Sequence, residues 1–117
     1  MINGVGPDAK IVADESGYKS SETPYRMDLM PAAAILHLSK IMCEGAKTHG
    51  ENNWKNGTVE KHLNKGLVHL MAHLAGDTSD DHLGHAAWRI VAALELSLIQ
   101  PEHSPPGWYE SVGRCAP

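Results

Sequence analysis

The stretch TVEKHLNKGLVHLMAHLAGDTSDDHLGHAAWRIVAALELSLI, residues 58–99, decides the fold class. Leu63, Leu67, Leu70 and Leu74 recur at spacings of four, three and four, the period of one helix face. Leu83, Ala87, Ile90, Leu94 and Leu98 resume the pattern after a break at Gly76-Asp77-Thr78-Ser79-Asp80-Asp81. Gly76 reads as a helix stop, because glycine accepts the left-handed backbone that ends many helices. Asp80 or Asp81 places negative charge at the next N-terminus, where the helix dipole favours it. The spacing therefore predicts one helix from about Thr58, its N-cap, to Ala75. A second runs from Asp80 or Asp81 to Ile99, and the two pack by their leucine stripes.

Upstream, Asp28 reads as an N-cap and Pro31 falls in the first turn, where its missing N–H is harmless. Leu29, Ala32, Ala33, Leu36 and Cys43 share a face, giving a helix of about 17–20 residues that ends near Gly50. Residues 49–57 form a polar loop around Trp54. Gly4, Gly6, Pro7, Gly17 and Pro24 interrupt residues 1–27, which read as an irregular arm. Pro101, Pro105 and Pro106 stop the helix and leave residues 101–117 as a Pro-rich tail. No strand or repeat is evident. The expected class is all-α, a small bundle of three main helices over residues 28–100. Val68, Met71, Ala72, Ala86, Val91 and Ala93 make the second and third helices apolar outside their stripes, so completion by homodimerisation is expected.

The chain has 117 residues, the size of one domain, and a net charge of −4. That charge argues against a nucleic-acid polymer as partner, which would select a basic excess. There is no polybasic patch, no apolar run near the roughly 20 residues that span a bilayer, and no signal-peptide pattern. Cys43 and Cys115 lack metal or redox spacing, so a reducing cytoplasm is expected. Eight histidines stand against no phenylalanine.

The histidines are placed as well as numerous. His62, Gly66, His69 and His73 form a second stripe beside the leucines of one helix, and Asp81, His82, His85 and Arg89 flank those of the next. Facing imidazoles and carboxylates on neighbouring helices are how bundle proteins build metal sites. Without a thiolate among the donors, a hard or borderline ion such as Mg²⁺ or Mn²⁺ fits better than structural zinc. Gly66 costs its helix about 1 kcal/mol against alanine, which makes sense where a ligand or another backbone needs the room. Glu44 lies near a helix C-terminus, against the dipole, and calls for a cationic neighbour, a lysine or a metal. Trp54 in its polar loop suits stacking on a ring whose edge Asn53 would hydrogen-bond, or lidding the bundle end. No Gly-rich phosphate loop, nucleophile elbow or zinc-protease pattern is present. Asp81-His82 reverses the order found in His-Asp phosphohydrolases.

Three separated motifs carry a resemblance. They are Tyr25-Arg26-Met27-Asp28-Leu29-Met30-Pro31, then Glu44-Gly45-Ala46-Lys47-Thr48-His49-Gly50-Glu51-Asn52-Asn53-Trp54, then Gly76-Asp77 through Asp80-Asp81-His82-Leu83-Gly84-His85-Ala86. In this order, over roughly residues 17–99, the chain resembles the phage dATP/dGTP diphosphohydrolase domain family, small helical proteins related in mechanism to MazG-like pyrophosphohydrolases. His49 stands where the family phrase Ala-x-Lys-Tyr-Gly has tyrosine. The paired carboxylates of the wider MazG-like group are broken here, with Lys47 three residues after Glu44 and Gly84 three after Asp81, so histidines would replace some of them.

The resemblance implies cleavage of a purine deoxynucleoside triphosphate, dGTP or dATP, to the monophosphate and pyrophosphate. It implies Mg²⁺ or Mn²⁺ as cofactor and, for a phage-encoded chain, remodelling of the nucleotide pool in the host cytoplasm. On that basis Glu44, Asp81 and His85 are the expected catalytic and metal-bearing residues, with Glu51, His69 and Asp80 as further ligands. Lys19, Arg26, Lys47 and Arg89 would face the phosphates, and Asn53 and Trp54 the base. The alternatives are a non-enzymatic dimeric helical module that binds metal, and a His-Asp-type phosphohydrolase that cuts a different bond.

Overall fold

A computed structural model describes residues 4–100; the Pro-rich tail expected at 101–117 lies outside the described residues. The described residues divide into two compact units, with the boundary between Ala32 and Ala33.

In the first unit, strands β1 (Ile11–Ala13) and β2 (Lys19–Ser21) pair antiparallel, with Ile11 opposite Ser21. The arm expected to be irregular therefore contains a hairpin. Its turn is built by Asp14, whose carboxylate accepts from the Ser16 and Tyr18 amides at 2.8 and 3.1 Å and from Ser16 Oγ at 2.6 Å. Gly17, at φ 89°, takes the left-handed position. Three-residue strands without apolar alternation leave little periodic signal; Asp14 and Gly17 were the legible part.

A short 3-10 turn at Met27–Leu29 occupies the place where the first helix was expected to begin. Asp28 caps nothing, because its carboxylate is held by Arg26 at 2.7 and 2.8 Å. Met30, preceding Pro31, is extended at ψ 145°, as the proline ring requires of its predecessor. Helix α1 consequently starts later, spanning Ala32–His49.

The second unit continues with α2 (Val59–Leu74) and α3 (His82–Ile99). Thr58 caps α2 by accepting from the Lys61 amide at 3.2 Å. Asp81 caps α3 by accepting from the Gly84 amide at 3.1 Å. A Cβ at Gly84 would collide with the Asp81 carboxylate, so the cap needs glycine there. Both helix starts fall where the capping residues predict them.

The packing face differs from expectation. Helices α2 and α3 meet through Val59, His62 and Gly66 on one side and Ala86, Ala93 and Leu96 on the other, all buried. Most of the leucine stripes instead point outward: Leu67 is 55% exposed, Leu74 69%, Leu83 54% and Leu98 60%. Gly66 explains the choice. A Cβ there would lie 3.3 Å from Arg89 Cβ and from Ile90 Cδ1, so the missing side chain is what admits α3 so closely. Small residues facing each other let the helices close up, and the bulkier stripes are displaced to the outside. The core proper is Val59, Ala93 and Leu96, with Trp54 and Leu63 packed against it. Helix α1 buries only Ile41. Its His37 Nε2 reaches the Asp81 carboxylate at 2.5 Å, linking α1 to the start of α3.

Candidate active site

A cleft of about 410 Å³ opens between the C-terminal half of α1, the loop carrying a 3-10 turn at Asn53–Asn56, and the facing sides of α2 and α3. Its charged lining consists of Glu44, Lys61, Lys65 and Arg89, and both Trp54 and Trp88 contribute indole surface.

His62 holds this site together. It is 3% exposed, its Nε2 lies 2.8 Å from the Trp54 carbonyl, and Arg89 Nη1 lies 3.0 Å from its Nδ1. A guanidinium only donates, so Nδ1 must be the acceptor and the ring proton resides on Nε2, donated to the carbonyl. Burial, reinforced by the Arg89 charge, pushes the His62 pKa below its ordinary 6.5, which keeps this tautomer neutral. Gly57 is constrained by the same ring, since a Cβ there would stand 2.8 Å from His62 Nε2.

This arrangement has a pH consequence. Above 6.5 the ring is neutral in both folded and unfolded chains, and its contribution is complete. Below that value the unfolded chain takes up a proton that the folded site resists, so stability falls with pH. Thermal melts from pH 7.5 downward are therefore expected to show a fall below 6.5 that is shallower in His62→Gln. Parallel curves for the two proteins would refute the assignment.

Arg89 lies over the Trp88 ring, its guanidinium carbon 4.8 Å from the centroid. Its Nε is buried and makes no hydrogen bond among the described residues. Among the described residues no carboxylate lies within ion-pair distance of it.

A second cluster adjoins the cleft. His69 Nδ1 and His82 Nδ1 are 2.9 Å apart, and the His85 ring stacks on His69 with centroids 5.2 Å apart. His85 Nε2 lies 3.7 Å from Asp80, and His82 Nε2 lies 3.6 Å from Asp77. Ligand atoms from His69, Asp80 and His82 all fall within 4.8 Å of one another. Among the described residues His82 Nε2, though buried, makes no hydrogen bond, Asp77 lying just beyond that range. Imidazole and carboxylate donors with a ring nitrogen unspent are a donor set that fits a borderline divalent ion such as Mn²⁺. His85 lines the cleft as well, so it joins the two features.

The structure thus distributes the expected residues. Glu44, Asn53, Trp54, His85 and Arg89 line the cleft; His69 and Asp80 belong to the cluster. Asp81 lies in neither, its carboxylate being engaged by the Gly84 amide and His37, and these bonds hold its pKa below the usual 3.8. Lys47 and Glu51 are exposed and do not line the cleft. Lys19 and Arg26 belong to the N-terminal unit, where Arg26 pairs with Asp28 at 2.7 Å. Trp54 packs against the core and also lines the cleft.

Sequence reasoning passed over His62, Lys61, Lys65, His82 and Trp88 as site residues. His62 and His82 stood in the polar stripes and were legible there; the two lysines and Trp88 become part of a site only when the helices are assembled.

Fold and site together define an all-α domain with an indole-lined, cationic cleft beside an imidazole–carboxylate cluster. Residues 14–105 match the family model described as dATP/dGTP diphosphohydrolase, N-terminal, and the chain belongs to that family. No curated protein and no solved structure matches it. Among the described residues no helix is long and apolar enough to cross a membrane.

Proposed function

We propose that the chain hydrolyses a purine deoxynucleoside triphosphate, dGTP or dATP, to the monophosphate and pyrophosphate. The observation that carries this reading is His85, shared between a cationic cleft with two indoles and a cluster of metal-type donors. Water adds at the α-phosphorus and the bond to the bridging oxygen breaks, releasing pyrophosphate. A divalent ion, Mg²⁺ or Mn²⁺, held by His69, Asp80 and His82, would supply charge neutralisation and acidify water when bound.

This chain's own groups do the rest. Glu44 accepts the proton of the attacking water, and His85 orients that water from the opposite wall. Arg89 meets the negative charge that grows on the departing pyrophosphate. Trp54 stacks on the purine and Asn53 hydrogen-bonds its edge. Asp81 acts indirectly, fixing the start of α3 from which His82 and His85 project. For a phage-encoded chain the reaction draws down one purine nucleotide in the host cytoplasm.

A second copy of the chain completes the bundle in this reading, because Leu67, Leu74, Leu94 and Leu98 leave a large apolar surface uncovered. Sedimentation of the purified protein is expected to give a dimer or a larger symmetric assembly.

Turnover of dGTP or dATP in Mg²⁺ or Mn²⁺ should vanish on adding a chelator and return with excess ion. Glu44→Gln, an exposed isosteric change, should lose about 100-fold or more in kcat with its melting temperature unchanged. Chelator-resistant turnover would refute the metal requirement, and full activity in Glu44→Gln would refute its role.

A further inference from the structure

We propose that Lys61, Lys65 and Arg89 form a polyphosphate-binding edge of the cleft that takes the triphosphate tail without help from a metal ion. The proposal rests on reading the cleft as the nucleotide site, and it assigns a task to two lysines that the family resemblance does not single out.

The chain carries −4 overall, yet among the described residues the charged lining of the cleft is three cations and one carboxylate. A surface that runs against the balance of the whole molecule gathers counter-ions of the opposite sign.

Lys61 and Lys65 stand one turn apart on α2, about 6 Å along its axis. Like charges at this spacing destabilise a helix slightly. Among the described residues no carboxylate comes within ion-pair distance of either lysine to offset that repulsion. Exposed lysines on a helix are ordinarily just solvated, so spacing alone decides nothing.

Arg89, facing them from α3, decides the matter. Its guanidinium is partly buried over Trp88, and among the described residues its Nε is orphaned and its one side-chain hydrogen bond goes to a neutral ring, His62 Nδ1. A planar, always-charged fork with unspent donors and no acid beside it is built for an oxyanion, and phosphate matches its geometry. His62 sets the direction of that fork, and through the Trp54 carbonyl it ties the fork to the loop that would carry the base. Two mobile ammonium groups and one fixed guanidinium together suit a linear chain of phosphates better than a single carboxylate or a lone phosphate.

The test uses inorganic tripolyphosphate as probe, titrated calorimetrically into the full chain with EDTA present. Lys61→Ala/Lys65→Ala is compared with Lys10→Ala/Lys40→Ala, which removes the same charge elsewhere. All four lysines are exposed, so both double variants keep the fold. The wild type is expected to bind, Lys61→Ala/Lys65→Ala to bind about tenfold more weakly, and the control pair to match the wild type. Failure of the wild type to bind, or equal affinity in both double variants, would overturn the proposal. Turnover of dGTP and dATP by the same preparations separates this from the hydrolase reading. Tripolyphosphate bound at the lysines with neither nucleotide cleaved would sink the hydrolase and keep the edge. Cleavage with unchanged KM and unchanged tripolyphosphate affinity in Lys61→Ala/Lys65→Ala would sink the edge alone.

Discussion

Replacing Arg89 by methionine is expected to lower kcat/KM on purine deoxynucleoside triphosphates by about 100-fold or more, the loss typical of removing one preorganised stabiliser of transition-state charge. Methionine keeps the aliphatic stem that packs where α3 approaches Gly66, so the helix pair survives. What disappears is the only guanidinium that lines the cleft among the described residues, together with the donor to His62 Nδ1. Leaving that buried nitrogen unpaired costs about 1–3 kcal/mol, so melting should fall by several degrees while the far-UV spectrum stays helical. Steady-state kinetics beside a thermal melt checks both parts. Activity within threefold of wild type would remove Arg89 from the mechanism.

Leu96→Ala is expected to be the most damaging single truncation to stability. Leu96 is fully buried, 0% exposed, in contact with Val59 and Ala93 at the centre of the core. Emptying such a site costs about 2–5 kcal/mol, transfer and cavity terms together. For a domain of this size that lowers the melting temperature by roughly 15 °C. The informative partner is Leu98→Ala. Leu98 belongs to the stripe that periodicity marks as core but is 60% exposed, so its truncation should leave the intrinsic stability of the chain within about 0.5 kcal/mol. Should Leu98→Ala weaken assembly of copies instead, melting will depend on protein concentration. Equal losses for the two leucines, independent of concentration, would mean that the packing face has been read wrongly.

Those two leucines also show what a sequence can and cannot reveal. Helix ends were legible because they are local: Thr58 and Asp81 accept amide hydrogens three residues on, and Gly76 takes φ 84° just past α2. Which face of a helix is buried is not local. Helices α2 and α3 carry two periodic faces each, one large and apolar, one small and polar, and hydrophobicity alone selects the former. Gly66 carried the contrary signal, since a helix gives up propensity at a glycine only for close approach. Its neighbours His62 and His69 are then drawn inward with it, so that part of the histidine stripe is enclosed while His73 stays exposed.

The site was legible in its chemistry and less so in its membership. Imidazoles with an aspartate near facing helices were readable as a candidate cluster, and the structure brings His69 and Asp80 together with His82, with His85 stacked beside them. Asp81 shows the limit. An aspartate preceding a helix can be a ligand or a cap, and the residue pattern is the same for both; the amide of Gly84 and the ring of His37 occupy its oxygens here. Lys61 and Lys65 were invisible because a lysine on a helix carries no information until the opposite wall of a cleft is known.

The most direct test of the central claim is the identity of the products. Each of the four deoxynucleoside triphosphates is incubated with the purified chain and Mg²⁺ or Mn²⁺, and the mixture is resolved by anion exchange. The account predicts equal amounts of monophosphate and pyrophosphate from dGTP, dATP or both, and none from the pyrimidines. Release of nucleoside with tripolyphosphate would place the cut at a different bond, and no product from any nucleotide with either ion would contradict the hydrolase reading.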